Sequence, residues 1–156
     1  MSPMLEPTAF PLTPTTALLS HFRHAYGVWL RMTGELRQPA RAIISGVRRA
    51  GMTLDVYALN YLPRIPFWRY DLIVLEAAPS AQLAGLIKAV KRARFLSGAP
   101  IIVLAPTVEQ DMVVAALRAG ADAVSPIETS KSVLLAHWDA LLRRREASQN
   151  APLRGM

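Results

Sequence analysis

Two apolar runs of strand length constrain the fold of this chain more than any other feature. Residues 72–75 read Leu-Ile-Val-Leu and residues 101–104 read Ile-Ile-Val-Leu, without a polar position in either run. Strands of a sheet with one solvated face alternate apolar and polar residues, whereas strands of a parallel sheet are covered on both faces and read as continuous apolar runs. The two runs therefore predict the centre of a parallel sheet.

Three further segments read as strands and complete an alternating order of strands and helices. They are Tyr26–Met32, Thr53–Leu59 and residues 121–124. Parallel neighbours must be joined by long crossover connections, which are usually helices. The alternation therefore predicts an α/β fold with a doubly wound, five-stranded parallel sheet.

Four helices are predicted where apolar residues recur along one helical face. The predicted buried stripes are Ala40, Ile43, Ile44 and Val47; Leu83, Leu86, Ile87 and Val90; Met112, Val113, Ala116 and Leu117; and Leu134, Trp138, Leu141 and Leu142. The first helix should begin near Pro39 and end at Gly51, and the second should have a Ser80 cap. The third should begin with a Thr107–Gln110 capping box and end at Gly120, and the fourth should begin with a Thr129 or Ser130 cap.

One crossover departs from this pattern. Pro63 and Pro66 interrupt residues 60–69, so we expect an irregular loop in place of the second crossover helix. Phe67 and Trp68 lie in this loop. They are candidate anchors of a protein interface, because aromatic residues with neighbouring arginines are typical of such anchors. The alternative, that both rings fold back over the uncovered sheet, has equal weight.

Composition sets the domain limits and the compartment. A hydrophobic content of 52% supports one packed domain, predicted over residues 23–146. Residues 1–22, rich in Pro, Thr and Ser, predict a flexible N-terminal arm, and residues 147–156 predict a disordered C-terminal tail. No apolar run is long enough to insert into a membrane, and there is no cysteine. We therefore expect a cytoplasmic protein.

From Tyr70 to Arg145 the chain resembles the receiver domain of bacterial response regulators. Residues 70–76 are similar to the family's third strand, which ends on the phosphate-accepting aspartate, and residues 100–105 are similar to its fourth strand. Ala-Gly-Ala-Asp at 119–122 is similar to the turn before the fifth strand, and residues 141–145 to the end of the last helix. The resemblance implies a receiver or flavodoxin-like fold and a role in signal transduction.

The same resemblance points to a phosphorylation site whose residues are substituted. The acceptor position is Glu76, the hydroxyl position is Ala105, and the lysine position is Ser125 or Pro126. Of the acidic pair that holds Mg²⁺ in the family, only Glu35 remains. The longer side chain of Glu76 should move the carboxylate outward, where about 1 Å of misplacement costs roughly a hundredfold in rate. We therefore expect a pseudo-receiver that is not an enzyme and holds no metal or cofactor.

Two interpretations of Glu76 remain open. It either mimics a phosphorylated aspartate, or it is a strand-end carboxylate beside a helix N-terminus, which we favour. The sequence predicts no other catalytic site. His21, His24 and His137 form no cluster in sequence, and no glycine-rich phosphate loop is present. We therefore expect no small-molecule substrate.

The net charge of +7 favours an acidic partner. One arginine cluster, Arg37, Arg41 and Arg48, follows a stripe of the first predicted helix. In a receiver fold this helix neighbours the last one, which would bring the second cluster close: Arg143, Arg144 and Arg145. The sequence thus predicts an adaptor that binds a protein in trans or forms a homodimer. The alternative is a nucleic-acid-binding accessory protein that uses these arginine-rich faces.

Overall fold

The fold is built on one parallel sheet. The computed structural model describes residues 20–32, 34–78 and 83–150. The strands are β1 (Tyr26–Arg31), β2 (Thr53–Ala58), β3 (Leu72–Glu76), β4 (Ile101–Ala105) and β5 (Ala123–Pro126). All pairings are parallel, in the order β2-β1-β3-β4-β5. The predicted doubly wound α/β sheet is confirmed.

Helices cover both faces of this sheet. They are α1 (Ala40–Arg49), α2 (Leu83–Leu96), α3 (Gln110–Ala119) and α4 (Lys131–Asn150). The helices α1 and α4 pack on one face around Trp29 and Val74, and α2 and α3 pack on the other around Ile73 and Leu75. Every residue of β3 and β4 is buried, as the two apolar runs predict.

Two short 3-10 helices replace the second crossover helix. They span Leu59–Arg64 and Phe67–Arg69, so the segment is more regular than the irregular loop we predicted. Phe67 is fully buried in the core, whereas the side chain of Trp68 is 65% exposed. Of the two candidate interface aromatics, Phe67 is therefore a core residue, because it covers sheet area left open by the missing helix.

A pair of tyrosines holds this segment on the sheet. The hydroxyls of Tyr26 and Tyr70 both donate to Oδ2 of Asp55, at 2.6 and 2.7 Å. Their rings meet edge to face with centroids 4.8 Å apart. Burial and the hydrogen bond to Asp55 raise the pKa of Tyr70, which therefore stays protonated as a donor. This contact joins β1, β2 and the end of the second 3-10 helix.

The domain extends beyond both predicted boundaries. Ser20–Phe22, assigned to the arm, forms a 3-10 helix with Phe22 buried in the core. His21 donates from its backbone N–H to Asp139 Oδ1 at 2.9 Å, and its Nδ1 lies 3.2 Å from Oδ2. At the other end, α4 continues through four residues of the predicted tail. Residues 1–19 and 151–156 lie outside the described residues.

Several local predictions for the helices were wrong. Glu109, not Thr107, is the N-cap of α3, and its side chain makes no capping hydrogen bond. Leu83 and Leu117, assigned to buried stripes, are 42% and 45% exposed. Ala116 is buried as predicted, and Ala89 and Ala93, which were not predicted, are buried too, because a small side chain allows closer approach to the sheet. Ser80 falls outside the described residues.

The last strand begins two residues later than predicted. Asp122 precedes β5, and its carboxylate accepts from the backbone N–H of Ile101 at 2.8 Å and from Arg94 at 2.7 Å. These bonds hold Asp122 as a side-chain acceptor at the entrance to the strand. In the described part of the chain, no helix is both long and apolar enough to cross a membrane.

The different burial of neighbouring aromatics predicts different costs of truncation. Phe67→Ala should destabilise the fold by about 3–5 kcal/mol, since it leaves a cavity in the core. Its melting temperature should fall by roughly 10–20 °C. Trp68→Ala should stay within a few degrees of the parent. Thermal unfolding by circular dichroism measures both, and a large fall for Trp68→Ala would place that ring in the core.

Candidate functional site

The carboxyl ends of the parallel strands open onto one cleft. Ligand sites of open α/β sheets lie at this edge. The cleft has a volume of about 570 Å³. Its charged lining residues are Glu76, which ends β3, and three residues of the segments that follow β1 and β5: Glu35, Arg37 and Glu128. This edge is where the resemblance to receiver domains predicts a substituted phosphorylation site.

Glu76 ends β3 with its side chain turned into the protein. It pairs with Arg31 of β1 and Leu104 of β4, and only 7% of its surface is exposed. The indole Nε1 of Trp29 donates to Glu76 Oε1 at 2.9 Å within the core. The predicted outward displacement of the carboxylate was therefore wrong. The pleat places Trp29 and Glu76 on the same face, and the indole N–H supplies the hydrogen bond that a buried carboxylate needs.

Enclosure also changes the acidity of this carboxyl. Burial raises the pKa of Glu76 above its ordinary value, although the Trp29 hydrogen bond and the charge of Arg31 act in the opposite direction. Phosphorylated side chains carry nearly two exposed negative charges. An enclosed carboxyl that binds its proton more readily than usual is a poor mimic of that group. The geometry supports a strand-end carboxylate, with Trp29 as its partner in place of a helix N-terminus.

A second tryptophan connects this carboxylate to the last helix. Trp138 of α4 packs edge to face against Trp29, with centroids 6.5 Å apart and an interplanar angle of 62°. Both rings are fully buried. Sequence reasoning assigned Trp138 to the core and did not connect Trp29 with Glu76. The sequence signal that could have indicated this hydrogen bond is Trp29 itself, an aromatic residue with an N–H donor two residues before the end of β1.

The other predicted site residues lie at different depths along this edge. Glu35 is exposed in the cleft, where it pairs with Arg37 Nη2 at 3.0 Å. Ala105 is buried and lines a neighbouring hollow. Ser125 is half-buried and pairs with Leu104, one residue inside the edge, so Pro126 is the residue opposite Ala105. The structure thus brings Glu35 and Glu76 to one cleft.

These residues do not fit the Mg²⁺ ion that a receiver fold implies. Such a site needs several oxygen ligands free to coordinate at near-octahedral geometry. Glu76 is enclosed and bonded to Trp29, and Glu35 is paired with Arg37. Within residues 20–32, 34–78 and 83–150, no group of three metal-ligating side chains is placed to hold an ion.

The two arginine clusters do not form one face. The helices α1 and α4 are in contact, as expected. However, Arg48 donates to the Leu54 carbonyl of β2 at 2.8 Å, whereas Arg145 lies beside Gly98, just before β4. The strands β1 and β3 separate β2 from β4. Arg41, Arg143 and Arg144 are exposed on their helices.

Comparison with known proteins finds similarity in structure alone. No protein-family model matches the chain, and no curated protein sequence matches it significantly. A two-component response regulator from Clostridium difficile has a TM-score of 0.65 at 20% identity, covering 77% of this chain and 98% of that chain. A CheY-like receiver domain protein from Methanospirillum hungatei JF-1 has a TM-score of 0.62 at 17% identity, covering 80% and 98%.

A third similar structure is that of a phosphorylated protein. It is a response regulator from Burkholderia pseudomallei with a phosphorylated aspartic acid and a calcium ion, with a TM-score of 0.59 at 19% identity. It covers 82% of this chain and 76% of that chain. At such identities the similarity lies in the fold. The chain has the fold of a response-regulator receiver domain.

Proposed function

We propose that this protein is a non-phosphorylatable pseudo-receiver that acts as a protein–protein interaction or regulatory adaptor in signal transduction. The observation that carries the proposal is the state of the acceptor position. Glu76 stands there, enclosed in the core and hydrogen-bonded to Trp29. The protein keeps a receiver scaffold, while the carboxylate at its acceptor position contributes to the core.

Phosphoryl transfer to a carboxylate needs an accessible ionised oxygen in line with the leaving group, and cations that stabilise the transferred charge. Oε1 of Glu76 accepts the Trp29 hydrogen bond instead. Ala105 has no hydroxyl to sense a phosphate, and Pro126 opposite it has no ammonium to pair with one. These substitutions support a binding role in place of catalysis.

The segment that replaces the missing helix supplies one surface for a partner. Trp68 projects from it, and Tyr61 is exposed on the same segment. Arg64 lies between these two aromatics in the sequence and Arg69 follows Trp68, and both arginines are exposed. Exposed aromatics interleaved with arginine are typical anchors of protein interfaces. We propose that a cytoplasmic protein partner or a second copy of the chain binds here.

The nucleic-acid alternative has weaker support. Arg37, which precedes α1, is paired with Glu35, and Arg48 is bonded to a backbone carbonyl, so two of the three arginines of this cluster are bonded within the protein. Arg145 lies on a different part of the fold. A binding face for a phosphate backbone needs several free cations in one place.

Phosphorylation tests the proposal directly. Incubation with acetyl phosphate and Mg²⁺ should add no phosphoryl group, because the acceptor oxygen is enclosed. Intact-mass spectrometry measures the outcome, with a receiver that retains the aspartate, lysine and acidic pair as the positive control. A stoichiometric gain of one phosphoryl group that disappears in Glu76→Ala would refute the pseudo-receiver proposal.

The buried carboxyl predicts a pH dependence of stability. The folded-state pKa of Glu76 is raised above 4.5. The contribution of this carboxyl to the free energy of unfolding is therefore fully present at lower pH and is lost as pH rises through the raised pKa. Glu76→Gln keeps an acceptor for Trp29 without a charge. Its stability relative to the parent should therefore increase between pH 4 and pH 8, measured by urea unfolding. Glu128→Gln, exposed in the same cleft, is the control. Parallel pH curves for parent and Glu76→Gln would contradict this expectation.

Nucleic-acid binding has its own test. Mobility-shift assays with single- and double-stranded oligonucleotides at low salt should show no binding by the full chain. A shift that weakens steeply with salt and is lost in the double variant Arg41→Glu/Arg48→Glu would support the alternative, because each neutralised phosphate releases counterions. The adaptor proposal would then give way to a nucleic-acid accessory role.

A further inference from the structure

The outward face of α2 is both apolar and basic. Ala84, Lys88, Lys91 and Phe95 recur at i, i+4, i+7 and i+11, which places them on one helical stripe. Phe95 is 88% exposed, more than any other large apolar side chain in the described part of the chain. Leu83 is also exposed at the start of the helix. A helix of a folded domain usually turns such residues inward.

The charge of this face has one sign. The sequence of α2 contains no aspartate or glutamate. Two of its arginines are engaged, since Arg92 donates to the Pro63 carbonyl and Arg94 is paired with Asp122. Lys88 and Lys91 are exposed, and neither forms an ion pair with a described residue. The exposed cations of the stripe are therefore available to an acidic group.

The shape of the face suits an elongated ligand. A shallow, largely open surface depression lies along the first nine residues of α2, lined by Leu83, Ala84, Ile87, Lys88 and Lys91. Phe95 lies one turn beyond its end. At 1.5 Å per residue, the distance from Leu83 to Phe95 along the axis is about 18 Å, or a little over three helical turns.

We propose that this α2 face binds an acidic amphipathic helix of a partner protein. The helix covers Ile87 and Phe95 with its apolar residues and places carboxylates near Lys88 and Lys91. This inference rests on the adaptor function proposed above and names the face and the chemistry of the partner. A second copy of the same face is a poorer occupant, because a two-fold contact would place Lys88 and Lys91 against the same cations.

Two designed peptides of about 14 residues test this chemistry. Both carry the same apolar stripe at helical spacing, one with a glutamate polar face and the other with a lysine polar face. Fluorescence anisotropy with the full chain should show binding of the glutamate peptide alone. Phe95→Ser should weaken it by about thirtyfold, the loss typical of an interface anchor. Lys88→Glu/Lys91→Glu should lose the glutamate peptide and bind the lysine peptide.

Matched variants separate this face from the general surface. Val133→Ser removes an exposed apolar side chain from α4, and Arg41→Glu/Arg49→Glu reverses two exposed charges on α1. Both should bind the glutamate peptide like the parent. Circular dichroism should give all variants the parent's melting temperature, because every substituted side chain is exposed.

Three results would overturn the inference. The first is failure to bind the glutamate peptide in preference to the lysine peptide, or equal binding by Phe95→Ser. The second is displacement of the peptide by a single-stranded oligonucleotide, which would make the face a nucleic-acid site. The third is self-association that Phe95→Ser abolishes in sedimentation equilibrium. None of these depends on the acetyl phosphate result, so this face can fail while the pseudo-receiver proposal stands.

Discussion

The whole fold depends on covering both faces of β3 and β4. Every residue of these strands is buried, so an uncovered face would expose a continuous apolar surface. The helices α1 and α4, together with Phe22, cover one face. On the other, Pro63 and Pro66 prevent a third helix beside α2 and α3, and the two 3-10 helices cover the remaining area with buried apolar side chains, Leu62, Ile65 and Phe67. Exposure of Trp68 is a consequence of that replacement.

Local patterns in the sequence were enough to predict the sheet and its crossovers. The apolar runs in β3 and β4 and the stripe of α1 depend only on residues near one another in the chain, and the structure has them as expected. Packing of α2 was predictable only in part. Leu86 and Val90 are buried as predicted, whereas Leu83 is exposed. Ala89 and Ala93, which were not predicted, also pack in the core, because a small side chain allows close contact with the sheet.

The candidate site was predictable in part by resemblance, but its geometry was not predictable. The resemblance to receiver domains points to Glu76, Glu35 and Ala105, and the structure brings Glu76 and Glu35 to one cleft. The orientation of Glu76 depends on Trp29, which is 47 positions away, and the anchoring of His21 depends on Asp139, 118 positions away. Neither pairing leaves a periodic trace in the sequence. The exposure of Phe95 was not predicted either. It follows only when the opposite face of α2 is known to be buried.

The hydrogen bond between Trp29 and Glu76 also affects which substitutions evolution can accept at position 76. An aspartate at position 76 is one methylene shorter and would leave the buried indole N–H without its acceptor, a loss of about 1–3 kcal/mol. That variant would still have Ala105 and Pro126 at the positions where a receiver needs a hydroxyl and an ammonium. Under the pseudo-receiver function proposed above, an aspartate at this position alone would therefore reduce stability without gaining phosphorylation. Selection on stability alone would keep this chain in its present state.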